Sequence, residues 1–250
     1  RQHHRLVMRG QRVIQGASFA LFLLLLLLAS MAGTRDVVPA DLFLRMDPAG
    51  GLVSMLADRI FLLAFWPALL LLVMTLLFGR VFCSHLCPMG TLVDMSDWLL
   101  GKGRPNTASN TWPRLKHHLL AAMLAAAFLG VSLHFLLSPI PLATRFIGLI
   151  ILPLLRAMSS MGLDVARPVF DGLGMDYLAY LQLGTRYVVA QWFVVFLFLG
   201  IFCLSRRGAR LWCRWLCPAG SLFAICSTRP LYRRRVSRDC IDCGKCAMDC

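Results

Sequence analysis

The sequence has 250 residues, of which 58% are hydrophobic and 15% charged, and its mean hydropathy is +0.70. Soluble domains carry roughly 25% charge, so these figures exclude a disordered chain and a small disulfide scaffold and speak against an ordinary soluble enzyme. The formal charge is +14, from 26 Lys and Arg against 12 acids, every one of them Asp. Such a surplus raises the question of nucleic acid, and its placement along the chain answers it below.

A bilayer core of about 30 Å needs roughly 20 helical residues. Four uncharged stretches meet that length: residues 13–32, with six consecutive Leu, then 60–79, 119–137 and 187–204. The first lacks a signal-peptide cleavage site and is read as a permanent helix. A fifth apolar stretch, 140–155, holds Arg145 and is interrupted by Pro141 and Pro153, and is read as interfacial or re-entrant.

The segments flanking these spans sort by charge. The N-terminal segment, the loop after the second span and the C-terminal tail hold 19 Lys and Arg. The two other loops hold seven, balanced by seven Asp. The positive-inside rule therefore puts both termini and the middle loop in the cytoplasm, and nucleic acid is not an expected partner.

Two stretches repeat each other. Gly79 begins GRVFCSHLCPMGTL and Ala209 begins ARLWCRWLCPAGSL, an ungapped offset of 130 residues. Cys83 and Cys87–Pro88 answer to Cys213 and Cys217–Pro218, and Gly90 to Gly220. The chain is thus two helical hairpins, each with Cys-x-x-x-Cys-Pro at its cytoplasmic end. A spacing of four places both sulfurs on one face of a helical turn. Cytoplasmic thiols stay reduced, which favours a soft-metal or iron–sulfur site over disulfides. A packing role for helix-end cysteines is the plainer alternative.

The last eleven residues, CIDCGKCAMDC, space Cys240, Cys243, Cys246 and Cys250 as C-x2-C-x2-C-x3-C. This is the bacterial run for a [4Fe–4S] cluster without its final Pro, and in two-cluster proteins the fourth cysteine serves the other cluster. A chain that begins at Arg1 and stops inside this motif reads as part of a longer one. Cys203 and Cys226 lie outside the repeat and are read as packing residues.

With its four spans, two Cys-x-x-x-Cys-Pro motifs and terminal ferredoxin run, the chain resembles the NapH/NosR-type membrane polyferredoxins over nearly its whole length. That family includes the quinol dehydrogenase membrane subunit of periplasmic nitrate reduction, regulators of nitrous-oxide reduction, relatives in methylamine use and reductive dehalogenation, and the CcoG-type copper reductase. The resemblance implies an all-α membrane protein of the bacterial or archaeal inner membrane. Residues 1–239 would form its four-helix domain, and 240–250 the start of a ferredoxin-type domain. It implies [4Fe–4S] clusters, a quinone as further ligand, and membrane or peripheral redox subunits as partners. Carried over by motif, Cys83, Cys87, Cys213 and Cys217 are the paired Cys-Pro cysteines, and Cys240, Cys243, Cys246 and Cys250 the ferredoxin ligands.

The remaining polar residues are weighed singly. His134 is the one histidine within an expected span, so no two-histidine haem b is expected from this chain. It is a candidate proton acceptor from quinol, set against a hydrogen-bonded interfacial role. His85 and the pair Asp94 and Asp97 are read as solvated, His117 and His118 as headgroup-level residues, and Arg233 to Arg235 as a lipid contact. The expected function is iron–sulfur electron transfer between quinol and a partner protein. A copper reductase and a redox-sensing assembly subunit are the alternatives.

Overall fold

A computed structural model describes residues 2–30, 42–60, 63–79, 81–100, 115–172, 189–205 and 210–228. The ferredoxin cysteines Cys240, Cys243, Cys246 and Cys250, and Arg233 to Arg235, lie outside the described residues. Among those described, the fold is helical throughout, with no strand. The chain divides into two units, Arg1–Ala143 with Ile201–Cys250, and Thr144–Gly200.

The leucine-rich start forms α1 (Gln2–Ser30). After it come a single turn, α2 (Leu42–Arg45), and α3 (Pro48–Asp58). The second apolar stretch enters through a 3-10 turn, Leu63–Phe65, and continues as α4 (Trp66–Phe78). Pro67 stands in its first turn, where a missing N–H is harmless, and Gly79 ends it at φ 77°. Then come α5 (Val81–His85), α6 (Pro88–Leu100) and α7 (Leu115–Phe128).

The expected span at 119–137 is not one helix. Gly130 takes φ +80° and closes α7 with two backbone bonds, from its own N–H to Ala127 O at 2.9 Å and from Val131 N–H to Ala126 O at 3.0 Å. Only glycine adopts this left-handed helix stop without strain. The chain restarts as α8 (His134–Leu137), so His134 heads a short second helix.

A second departure follows. Residues 140–155 were expected to be broken by two prolines, yet helix is continuous from α9 (Pro139–Phe146) through a π-turn, Ile147–Ile151, into α10 (Leu152–Gly172). Pro141 lies in the first turn. Pro153 lacks the N–H that an α-helix would offer to Leu149 O, and the side-chain amide of Gln191 donates to that carbonyl instead at 2.7 Å. Gln191 belongs to α11 (Ala190–Ser205), whose Phe198 stacks on Phe146 at 4.2 Å. The π-turn widens the helix where the proline ring would otherwise meet the preceding turn.

By length and composition, Gly10–Ala29 and Pro139–Gly162 are the described helices able to cross a membrane. Leu63–Phe78, Leu115–Phe128 and Ala190–Ser205 are apolar but shorter. Of the expected spans, 119–137 is cut short by Gly130, while the helices Trp66–Phe78 and Ala190–Ser205 cover 13 and 16 residues.

The chain ends its described part with α12 (Leu211–Trp215) and α13 (Pro218–Cys226). With these, one motif appears four times. A short helix, a turn and a proline-headed second helix follow α1, α4, α7 and α11. The residue before the proline is Asp47, Cys87, Ser138 or Cys217. Each of these accepts, on its carbonyl, the N–H four residues on: Gly51 at 2.9 Å, Thr91 at 3.3 Å, Leu142 at 3.2 Å and Ser221 at 3.1 Å. Asp47, Ser138 and Cys217 are extended, with ψ of 103°, 137° and 114°. A following proline demands that conformation.

In the first unit α7 packs against both α3 and α13. Val53, Met123 and Ala127 are buried together, with Leu56, Leu124 and Leu137 around them. Near the paired cysteines, Phe82 and Phe223 bring their rings to 5.6 Å and join the two repeats through aromatic contact.

Candidate functional site

The two Cys-x-x-x-Cys-Pro copies share one construction. Cys83 rides on the short helix α5 and Cys87 caps α6; Cys213 rides on α12 and Cys217 caps α13. Cys87 and Cys217 are buried, while Cys83 and Cys213 are half-buried. The Cys217 sulfur accepts the Gly220 N–H at 3.3 Å, the cap geometry of a helix N-terminus, where the dipole favours a thiolate.

All four sulfurs fall within each other's electrostatic reach. The charge of Cys83 is felt at Cys87, Cys213 and Cys217, and Cys87, Cys213 and Cys217 are likewise coupled among themselves. The structure thus brings together the two pairs that the sequence placed at equivalent hairpin ends.

Glycine keeps the space open. A Cβ on Gly90 would lie 3.0 Å from Cys83 O, and one on Gly220 would lie 3.2 Å from Cys213 O and 3.5 Å from the Cys217 sulfur. The backbone at these positions is pressed against the preceding cysteine turn.

Burial pushes the Cys213 thiol up to about 12; the Cys83 charge adds to the shift, and Arg210 opposes it. Cys87 and Cys217 are raised too, by burial first and by neighbouring thiols second. Four crowded sulfurs cannot all ionise by themselves. A bound cationic centre reverses this, because coordination deprotonates a thiol outright.

Beside the sulfurs lies a polar clamp. Asp94 on α6 accepts from Arg210 Nε at 2.7 Å, from the Arg210 terminal nitrogen, and from Gln15 Nε2 at 2.7 Å. Asp94 is therefore a structural tie between α1, α6 and the head of α12, which corrects its reading as a solvated residue. Ser18 Oγ donates to Leu86 O at 3.1 Å and fastens α1 to the turn before Cys87. His117 likewise is engaged, its Nδ1 lying 2.6 Å from Ser221 Oγ on α13. Cys226 is half-buried, but Cys203 is exposed on α11 and is not the packing residue the sequence suggested.

The donor set fits a [4Fe–4S] group: four thiols from two repeats, amides directed at a sulfur, and glycines where a side chain would intrude. Among the described residues no three His, Cys or Asp side chains close on a point small enough for one metal ion. A lone tetrahedral ion holds its thiolates about 2.3 Å from one centre. A cluster of iron and sulfide stands its ligands farther apart.

A second polar group was only partly legible in the sequence. Asp47, Ser138 and His134 are 1%, 0% and 8% exposed. Of these, only His134 stands out in the sequence, as the histidine within an expected span. The signal for the others was an Asp-Pro and a Ser-Pro at the position of the Cys-Pro pairs.

A 4Fe–4S binding domain family matches the chain twice, at residues 59–107 and 190–238. Each match encloses one Cys-x-x-x-Cys-Pro pair, and both stop before Cys240. YccM of Escherichia coli (strain K12), named as an electron transport protein, is 30% identical over 72% of this chain and 43% of its own. The methylamine utilization ferredoxin-type protein MauN of Methylorubrum extorquens is 27% identical over 73% of this chain and 51% of its own. Its namesake in Paracoccus denitrificans is 29% identical over 69% and 48%. The chain spans about half the length of these curated relatives. No solved structure matches it at a significant level.

Proposed function

Starting from a 4Fe–4S, ferredoxin-type electron-transfer chain, we propose a membrane-integral subunit of the NapH/NosR type that exchanges electrons between the quinone pool and a redox partner protein. Cys83, Cys87, Cys213 and Cys217 hold one [4Fe–4S] cluster between the repeats. Cys240, Cys243 and Cys246 hold another, and Cys250 serves either. The observation that carries this is the gathering of four thiols from two repeats, each repeat matched by a 4Fe–4S binding family.

Bound there, the cluster supplies one-electron storage. The chain supplies the rest. Prolines fix the turn at each capping cysteine, helix N-termini and their amides offset thiolate charge, and the Arg210–Asp94 clamp keeps the repeats in register. Phe82, Trp212 and Phe223 are buried nearby and keep water from the sulfurs. A dry setting strengthens each of these electrostatic effects.

Several observations support a membrane setting. The apolar window of α1 is only 6% buried. Leu63, Leu69, Trp192 and Phe196 are each more than 60% exposed, an apolar surface of a kind that soluble monomers avoid. The four sulfurs lie together, so the chain crosses an even number of times between Cys87 and Cys213. One crossing before each of the four proline motifs meets that condition, and the exposed Leu154, Leu155 and Met158 of α10 suit contact with lipid. Cationic segments on the cysteine side then face the cytoplasm.

The test is anaerobic purification of the full chain, with iron and sulfide assays and low-temperature EPR after reduction. We expect at least one cubane signal that vanishes in Cys87→Ser. Cys87→Ser and Cys217→Ser should each cost the same iron as the double variant, because both repeats serve one cluster. Iron-free protein, or strictly additive losses, would refute the shared site. Copper bound in place of iron and sulfide would favour a copper reductase.

A further inference from the structure

We propose that Arg210 and Asp94, as two opposed charges beside the paired cysteines, set the reduction potential of the [4Fe–4S] cluster that those cysteines hold. The inference rests on the cluster reading above and adds to it the residues that tune the bound group.

The chain places both side chains at the sulfur-bearing turns. Arg210 is the residue before α12, three positions ahead of Cys213, and its carbonyl accepts the Arg214 N–H at 3.1 Å in the first turn of that helix. Asp94 stands in the second turn of α6, the helix that Cys87 caps. Two side chains of α1 fix its place there. Gln15 Nε2 donates to Asp94 Oδ2 at 2.7 Å, and Ser18 Oγ donates at 3.1 Å to Leu86 O, the carbonyl just ahead of Cys87. Residues three apart on a helix are neighbours, about 5–6 Å between Cβ atoms, so the carboxylate is held close to the Cys87 turn.

The pair is more than a tie. Arg210 takes φ 52° and ψ 36°, the left-handed region that a Cβ disfavours. The fold accepts this conformation at the residue whose guanidinium reaches from one repeat to a carboxylate of the other. The duplicated motif does not itself require that carboxylate. The position equivalent to Asp94 in the second copy is Ala224, and α13 forms there with Cys217 as its cap all the same. A carboxylate in one copy alone thus shapes the charge of the site and is dispensable for building the turn. Both charges are felt at the sulfurs. Arg210 and Asp94 act on Cys213 with opposite sign, Asp97 acts in the same sense as Asp94, and Arg210 reaches Cys87 as well.

Electrostatics gives the two residues opposite effects. Four thiolates outweigh the positive charge of an iron–sulfide core, so the filled site is anionic, and reduction makes it more so. A nearby cation therefore favours the reduced state and a nearby anion the oxidised state. Net charge and burial are among the factors that set such potentials. Cys87, Cys217, Phe82 and Trp212 are all buried, a dry side that screens little. The pair itself is half-buried, so solvent damps its charges without cancelling them. While paired, each charge offsets the other, and removing either one uncovers its partner.

The experiment is a redox titration of the full chain, purified anaerobically in detergent, read by low-temperature EPR of the signal that Cys87→Ser removes. Iron and sulfide are assayed on the same samples. Arg210→Gln leaves the carboxylate uncovered, and the ratio of reduced to oxidised cluster at a fixed potential should fall about threefold or more. Asp94→Asn leaves the cation uncovered and should raise that ratio by a similar factor. The double variant should return close to the parent. Arg210→Lys keeps the charge without the fork and should stay closer to the parent than Arg210→Gln does. Exposed Asp58→Asn, at the end of α3, should leave the ratio unchanged. A purely mechanical tie predicts otherwise, with both single variants shifting the same way whichever partner is lost. Shifts of one sign, or none, in variants of normal iron content overturn the tuning and leave the cluster reading standing. If Arg210→Gln loses iron or does not fold by circular dichroism, the direction of the Asp94→Asn shift decides. An iron-free parent chain sinks the cluster reading, and the tuning with it.

Discussion

Arg210 grips Asp94 through two guanidinium nitrogens across 116 residues of sequence, Nε standing 2.7 Å from Oδ1. This fork joins the proline-headed helix of the first repeat to the head of the second. It also sets a cation within electrostatic reach of Cys87 and Cys213. Side chains of the pair are 25% and 35% exposed, so its value lies in fixing geometry more than in raw stability.

Arg210→Lys should test that. Lysine keeps the charge and loses the planar fork. We expect a loss of about 1 kcal/mol in unfolding free energy, given the partial exposure. A larger effect should appear in the rate at which chelator strips iron. Asp94→Asn combined with Arg210→Lys should lose no more than the worse single change. Summed effects in the double variant would show that the two side chains act separately.

The glycines after the cysteine turns should not be equivalent. Gly90→Ala sets a methyl group 3.0 Å from Cys83 O, whereas Gly220→Ala leaves 3.2 Å to Cys213 O. Overpacking of this kind costs about 1–3 kcal/mol. Gly90→Ala should lower both iron occupancy and the thermal midpoint more than Gly220→Ala. Equal iron content across parent and both variants would mean that the turns have more slack than the structure shows.

Iron-free chain should hide its thiols chemically. Alkylation requires the thiolate, and burial raises Cys87, Cys213 and Cys217 above their ordinary value of 9.0. At pH 8 iodoacetamide should therefore label exposed Cys203 well before these three, as read by peptide mass spectrometry. The same shift bears on stability. The raised folded-state value keeps the protonated thiol favoured, so its contribution is intact below about 9 and is lost as pH climbs toward about 12 for Cys213. Prompt labelling of Cys213 at pH 8 in folded, iron-free protein would contradict its burial.

Gln191 and Pro153 should be coupled. Gln191→Leu strips Leu149 O of its donor, which costs about 1 kcal/mol for a half-buried carbonyl. Pro153→Ala restores a backbone N–H at that level of the helix. Introduced with Gln191→Leu, it should recover much of the loss, measured by denaturant titration in detergent. Independent effects would show that the side-chain amide is incidental to the proline.

Much of the chemistry was legible beforehand. The 130-residue repeat named the four Cys-Pro cysteines, but the single helical face expected for each pair does not form: Cys83 and Cys213 ride short helices, whereas Cys87 and Cys217 stand outside them as caps of the next helix, held extended by the following proline. The element lengths were harder. A hydropathy run does not record where a helix stops, so residues 119–137 read as one span although Gly130 closes α7. Pro153 read as a break because its remedy, Gln191, lies 38 positions away. Asp94 passed for a solvated residue because its partner, Arg210, sits in the other repeat.

The sequence by itself pointed to the atoms that could carry the chemistry: sulfur at fixed spacing ahead of proline, set among apolar helices. Local rules suffice there, since spacing and proline act within a single turn. Only the tertiary structure decided that the two thiol pairs converge, that Asp94 is a tie, and that Asp47 and Ser138 repeat the cysteine turn with oxygen in place of sulfur. Those relations depend on distant segments meeting in space.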